Sequence, residues 1–474
     1  MHTPRSTTVL SLVLTLGAPL CARAQDASSV LARYQSTADN LINAALKDSA
    51  AYNRLAELTD TFGNRLSGTP RLESAIDWVI AEMKKDGLSN VRGEKVMVPH
   101  WVRGEESASL VSPRPQPLAM LGLGGSVGTP ARGITAEAIV VSSFDDLNAK
   151  AAQAKGRIVV FDVPFPQTGE PFDNYGNVVR YRGGGASEAA KLGAVAVLVR
   201  SVASFSIRSP HTGGLRYDTT VAKIPAAALA VEDAMLLHRM QNRGDKLVIR
   251  LKMSAQTLPD APSRNVVAEI VGSELPNEVV VLGGHIDSWD VGAGAMDDGG
   301  GVVAAWEAVR LMKALGLKPR RTVRVVAWTN EENGGRGGAG YRDAHAAELD
   351  GHVLAIESDN GPFKPLGFSF VGSDEAYAMV SRVAPLLERI GAGKVIRGGG
   401  EADIAPLMAR GIAGMGLATD PSKYFWYHHS DGDTIDKLDP HDLALCVATM
   451  AVMTYVVADM PERIPHGPAA ARMR

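Results

Sequence analysis

The chain has 474 residues, 45% of them hydrophobic and 21% charged, and a formal net charge of -3. That composition excludes a chain dominated by disorder and suffices for one large core plus a second domain. A nearly balanced charge without a clustered basic excess also argues against nucleic acid as a partner.

In chain order, the first features are a short basic start, an apolar stretch from Val9 to about Pro19, and a small-x-small site at Ala22, Arg23 and Ala24. They predict a cleaved export signal over residues 1–24, because a membrane anchor needs roughly 20 apolar residues. A secreted or periplasmic location follows, with no membrane span after cleavage. Cleavage leaves Cys446 as the one thiol, so no internal disulfide forms. Cys446 lies in the apolar run HDLALCVATMAVMTYVV and reads as a buried, inert thiol.

Residues 27–63 carry a helical pattern, and Thr69 and Pro70 then cap and open another helix. Its apolar stripe is Leu72, Ile76, Val79, Ile80 and Met83, and Gly87 closes it. The strand-like VRGEKVMVPHW ends this first stretch, residues 25–103. From 104 to 261 the runs are short, rich in Gly, Pro and Ser, with few long helices. Within them GRIVVFDV reads as a strand, ASEAAKLGAVAVLVR as helix then strand, and KIPAAALAVEDAMLLHRM as strand then helix. That order resembles the protease-associated domain, a β-rich module found inserted in exported peptidases.

From 262 to 474 strands and helices alternate, with helices expected at about 298–315 and 374–391. The predicted fold is α/β, a mixed, mostly parallel sheet sandwiched by helices, with an inserted β-rich protease-associated domain. In such sheets ligand sites gather beyond the carboxyl ends of strands, where His285, Glu331 and Asp359 fall.

The run GGHIDSWDVGAGAMDDGGG sets His285, Asp287, Asp297 and Asp298 between a predicted strand and helix. Asp287, two positions after His285, is expected on the same face and placed to accept the second imidazole N–H. Asp297 and Asp298 divide between metal binding and capping Gly300 or Gly301. Glu331 and Glu332, adjacent after the strand TVRVVAWT, point in different directions, as a metal ligand and a general base must. Asp359 in AIESDNG and His429 in WYHHSDGDT complete an oxygen and nitrogen donor set typical of zinc. Gly335, Gly337 and Gly340 also satisfy G-x-G-x-x-G, but the two acids just before them would repel a pyrophosphate, which argues against a dinucleotide.

The motifs GGHIDSWDVGAGAMDD, NEENGGRGGAGY, AIESD and YFWYHHSDGDT, in this order and spacing, resemble the dizinc exopeptidases that include bacterial leucyl aminopeptidases and glutamate carboxypeptidase II. The likeness covers nearly all of the mature chain. It implies two zinc ions per chain, bridged by Asp297, with His285 and Asp359 on one and Glu332 and His429 on the other. Glu331 becomes the general base, and Asp433 a supporting acid. His428 competes with His429 for the last ligand position. The resemblance further implies a cis peptide between Asp297 and Asp298, a homodimer, and dipeptides or short peptides as substrate. Two rival uses of the same scaffold are a non-catalytic receptor and an aminoacyl cyclase or other amidohydrolase.

Overall fold

The computed structural model describes residues 18–469, with side chains from residue 30 onward, so most of the expected export signal lies outside the described residues. The helical pattern of 27–63 forms two helices, Ala18–Lys47 and Ala50–Phe62. Between them Asp48 accepts the N–H of Ala50 at 2.8 Å, so a side chain competes with the helical ladder and breaks it. The next helix, Pro70–Lys85, is capped by Thr69 and buries Leu72, Ile76, Val79 and Met83 as its spacing dictates.

Strand β1 (Ser89–Val102) leads into a stretch holding β2 (Glu106–Ser112), β3 (Gln116–Leu118), β4 (Met120–Gly122), β5 (Ile134–Val141), β6 (Ile158–Phe161), β7 (Ala196–Arg200), β8 (Ala226–Leu229) and β9 (Val248–Met253). The chain then forms β10 (Gln256–Ile270), β11 (Leu275–His285), β12 (Arg321–Trp328), β13 (His352–Glu357), β14 (Pro365–Val371), β15 (Lys394–Arg397) and β16 (Ala413–Thr419). Two eight-stranded sheets result. The first runs β1-β10-β12-β11-β13-β16-β14-β15, and the second β3-β2-β9-β5-β6-β7-β8-β4.

The first sheet is more mixed than expected. Its central strands β12, β11, β13 and β16 are parallel, but β1 and β10 pair antiparallel, as do β10 with β12 and β14 with β16. Strand direction depends on how the chain returns between strands, which side-chain alternation does not encode.

Alternation along β11 serves both faces of this sheet. Val280 and Leu282 join a core with Val302 and Trp306, while Val279 and Val281 pack with Tyr341, Ile404 and Leu407 on the other side. The helix Pro440–Asp459 is long and apolar enough to cross a membrane, yet it is buried in the larger core and carries the buried Cys446. Helix 374–391 is interrupted: Asp374–Ser381 is followed by a separate tight-helical stretch, Ala384–Ile390, whose Pro385 supplies no N–H to continue the first.

The second sheet contains a helix the sequence reading placed too late. It starts at Pro171 rather than near Ala186 and runs to Lys191 through Gly183, Gly184 and Gly185. Glycine disfavours a helix in isolation, but at Gly185 an added Cβ would lie 2.9 Å from the Phe161 ring, so close packing overrides propensity. This helix carries Tyr175 and Arg182 toward the first sheet.

Candidate metal centre

Register brings the site together. His285 at the end of β11 pairs with Trp328 of β12, and Gly283 pairs with Glu357 of β13, so the chain leaves all three parallel strands at one edge. There Asp287, Glu331 and Asp359 follow within a few residues. The opposite wall is the turn preceding the helix Gly300–Ala314, and Asp297 and Asp298 in it are joined by a cis peptide bond.

Asp297 stands in the middle. Its Oδ1 lies 3.3 Å from His285 Nε2, which is also 3.3 Å from Asp359 Oδ1. Its Oδ2 lies 3.3 Å from His429 Nε2, which is 3.0 Å from Glu332 Oε2. One carboxylate therefore faces two imidazole-carboxylate pairs, one on each oxygen. His428 stacks on His429 with ring centroids 3.5 Å apart, and its Nε2 is 3.7 Å from the same Asp297 oxygen. The ligand atoms of His285, Asp297 and Asp359 all lie within 4.8 Å of one another, as do those of Asp297, His428 and His429.

The supporting contacts correct one expectation. The second nitrogen of His285 donates to the backbone carbonyl of Asp287 at 3.0 Å, and the Asp287 carboxylate is farther away, at 3.8 Å. Strand β11 ends at His285, so the two-residue alternation no longer governs Asp287. Its buried carboxylate instead accepts the backbone N–H groups of Glu331 (3.1 Å) and Glu332 (3.4 Å) and the Ser67 hydroxyl (3.3 Å). Asp298 takes the capping role, accepting from Gly301 N–H and His285 N–H, both at 3.0 Å. Asp433 collects the N–H groups of Ala295, Met296 and Asp297 at 3.0, 2.7 and 3.2 Å.

Other contributors carry no mark in the sequence. Arg65 is fully buried and donates to the carbonyls of Ile286, Ala293 and Gly294, tying both halves of the 286–294 loop together. Glu357 accepts the N–H groups of Asp403 and Ile404, each at 3.1 Å, and Asp403 accepts from Gly338. From the second sheet, Arg182 reaches to 3.5 Å from His429 Nδ1. No local pattern separates these residues from surface charges; only tertiary proximity does.

The electrostatics call for a cation. Burial opposes ionisation of Asp297, yet the His285 and His429 imidazoles beside it hold its carboxyl well below the usual range. Burial and nearby acids push Glu331, Glu332 and Asp298 well above theirs. Burial also lifts Asp433 to about 7 and Asp403 to about 8. Asp297 Oδ2 and Glu332 Oε1 are buried acceptors with no hydrogen-bond donor, which is costly without a compensating partner. Three carboxylates and two imidazoles converging around such orphaned oxygens fit zinc, which takes nitrogen and oxygen ligands from His, Asp and Glu.

A sheet edge carrying this buried set of nitrogen and oxygen donors, with Glu331 beside it, defines a metal-dependent class of α/β hydrolase. Residues 265–454 match the model of Peptidase family M28. Carboxypeptidase Q from Xenopus laevis is 50% identical over 439 residues, 92% of each chain, and the Homo sapiens protein of that name is 49% identical over 90% of this chain and 89% of its own. The crystal structure of a peptidase M28 precursor from Shewanella amazonensis superposes with a TM-score of 0.88 at 37% identity, covering 92% of this chain and 98% of that one. A zinc aminopeptidase from Bacillus subtilis shares the fold at a TM-score of 0.63 and 20% identity. The chain belongs to peptidase family M28 and is a metallopeptidase.

Proposed function

We propose that this protein is an exported exopeptidase with two zinc ions per chain that hydrolyses dipeptides or short peptides. The observation that carries the reading is Asp297, which turns one oxygen to His285 and Asp359 and the other to His429 and Glu332. His285 and Asp359 would hold one zinc and Glu332 and His429 the other, with Asp297 shared. His429 is preferred to His428 because its Nε2 reaches both Asp297 and Glu332. Zinc, when bound, supplies Lewis acidity toward a peptide carbonyl and makes water acidic enough to attack near neutral pH.

The chain's own groups do the rest. Glu331 takes the proton of the attacking water and delivers it to the leaving amine nitrogen. Asp287 holds the backbone of Glu331 and Glu332 and so fixes which acid faces the metals and which the water. Residues 1–24 are the export signal, 104–261 a protease-associated insert in a catalytic domain made of 25–103 and 262–474, and the functional unit is a homodimer. The insert reading is supported by the separate second sheet between Glu106 and Met253. The curated relatives named carboxypeptidase Q support cleavage at a substrate terminus.

The test pairs zinc content with turnover on free and end-blocked dipeptides. Glu331→Gln should keep the parent's two zinc ions and lose about 10²–10⁴-fold in kcat, the contribution of a positioned general base. A variant still turning over dipeptides at a substantial fraction of the parent rate would remove Glu331 from the role.

A further inference from the structure

The second sheet meets the metal centre at one short segment. His211 and Thr212 lie on the loop between β7 and β8 and are anchored there: Ser201 Oγ accepts the His211 N–H at 2.8 Å while donating to the Leu229 carbonyl, and Thr212 Oγ1 donates to the Gly122 carbonyl at 2.7 Å. Toward the first sheet the same two residues grip the His428-His429 dipeptide. Thr212 N–H donates to the His429 carbonyl at 2.8 Å, and His211 Nδ1–H donates to the His428 carbonyl at 2.7 Å.

This grip decides two things about His429. Its backbone sits at φ 60°, a left-handed conformation that non-glycine residues adopt only when surroundings enforce it. The two donors from the insert pin both carbonyls flanking that residue. The side chain is oriented as well. Arg182 Nη1 lies 3.5 Å from His429 Nδ1 and donates to the Thr212 carbonyl at 3.3 Å. Nε2 is turned to Asp297 and Glu332. Trp289 closes the remaining side: its indole packs 5.5 Å from the His429 ring, against Gly124 of the insert, where a Cβ has no room.

We propose that His211 and Thr212 are positioning residues for His429, so that the insert sets the affinity of one zinc position while leaving the other alone. The inference rests on the two-zinc reading above. It predicts an asymmetric effect, because the His285 side of the centre is held by the Asp287 carbonyl and the Asp298 carboxylate, both outside the second sheet.

The experiment uses the full-length protein, titrating zinc against a competing chromogenic chelator and recording the visible spectrum of the cobalt-substituted form. His211→Ala should weaken one zinc equivalent by about 10–100-fold, the range for loss of a group that orients a ligand, and change the cobalt spectrum, with the other equivalent held. His211→Asn places an amide N–H where Nδ1–H stood and should restore the parental affinity and spectrum. The inference is overturned if His211→Ala binds both equivalents as the parent does, if both weaken together, or if Asn fails to improve on Ala. Should His211→Ala not fold, Ser201→Ala frees the His211 backbone and carries the same expectation and the same contrary outcomes. A parent that binds no pair of zinc ions overturns the underlying reading, a result distinct from an unchanged variant beside a two-zinc parent.

Discussion

Asp287 and Glu331 illustrate how much of the site is decided one side chain at a time. Among the described residues Asp287 has no charged partner closer than His285, and burial raises its carboxyl above the usual range despite that imidazole and the N–H groups of Glu331 and Glu332. Its work is to hold the backbone amides of Glu331 and Glu332. Asp287→Asn replaces one acceptor oxygen with a donor that faces an N–H, so zinc affinity should fall about 10–100-fold, as when a supporting group of a metal ligand is lost. Chelator titration reads the change; an unaltered affinity would confine Asp287 to packing. The sequence signalled His285, Asp297, Glu331, Glu332, Asp359 and His429 through motif and spacing. It gave the proximity of Asp287 to His285 but the wrong bond, because a two-residue period applies only while the strand lasts.

At the scale of elements, the parallel trio β12, β11 and β13 delivers His285, Glu331, Glu332 and Asp359, and the helix Gly300–Ala314 closes over them. That helix approaches so closely that a Cβ on Gly301 would overlap the Ser358 carbonyl oxygen and the Asp298 carboxylate. Gly301→Ala should therefore destabilise the fold by about 1–3 kcal/mol, the usual cost of overpacking, even though alanine is the better helix former. Urea midpoints of parent and variant measure it, and an equal or higher midpoint for the variant would contradict the close approach. The helix Pro171–Lys191 teaches the opposite lesson about legibility. Its three consecutive glycines precede the expected start near Ala186, yet all three are helical, Gly185 packing against Phe161, and the helix delivers Tyr175 and Arg182 to the site.

Across the whole molecule, two sheets share one functional edge, and buried polar groups away from it set the response to pH. His352 at the start of β13 is buried, with Nδ1–H donating to the Glu348 carbonyl at 3.1 Å and Nε2 accepting from the Tyr341 hydroxyl at 2.9 Å. Burial, with Arg324 and His345 nearby, pulls its imidazole down to about 4 from an ordinary 6.5. The unfolded chain therefore binds the extra proton first. Stability from neutral His352 is fully present above pH 6.5 and drains away as pH falls toward 4, by about 2 kcal/mol at pH 5. Urea midpoints at pH 7 and pH 5 should fall further apart in the parent than in His352→Gln, and equal losses would assign the acid sensitivity elsewhere.

The sequence by itself determined the candidate metal-binding motifs, the apolar strands at whose ends they sit, the capped helix from Pro70 and the burial of Cys446, because each depends on residue type and near-neighbour spacing. Tertiary structure alone decided the antiparallel flanks of the sheet, the reach of Arg65 across the 286–294 loop, and the hold of His211 and Thr212 on His429. Those depend on which distant segments meet, and a hydrogen bond between residues over 200 positions apart leaves no periodic trace in the chain.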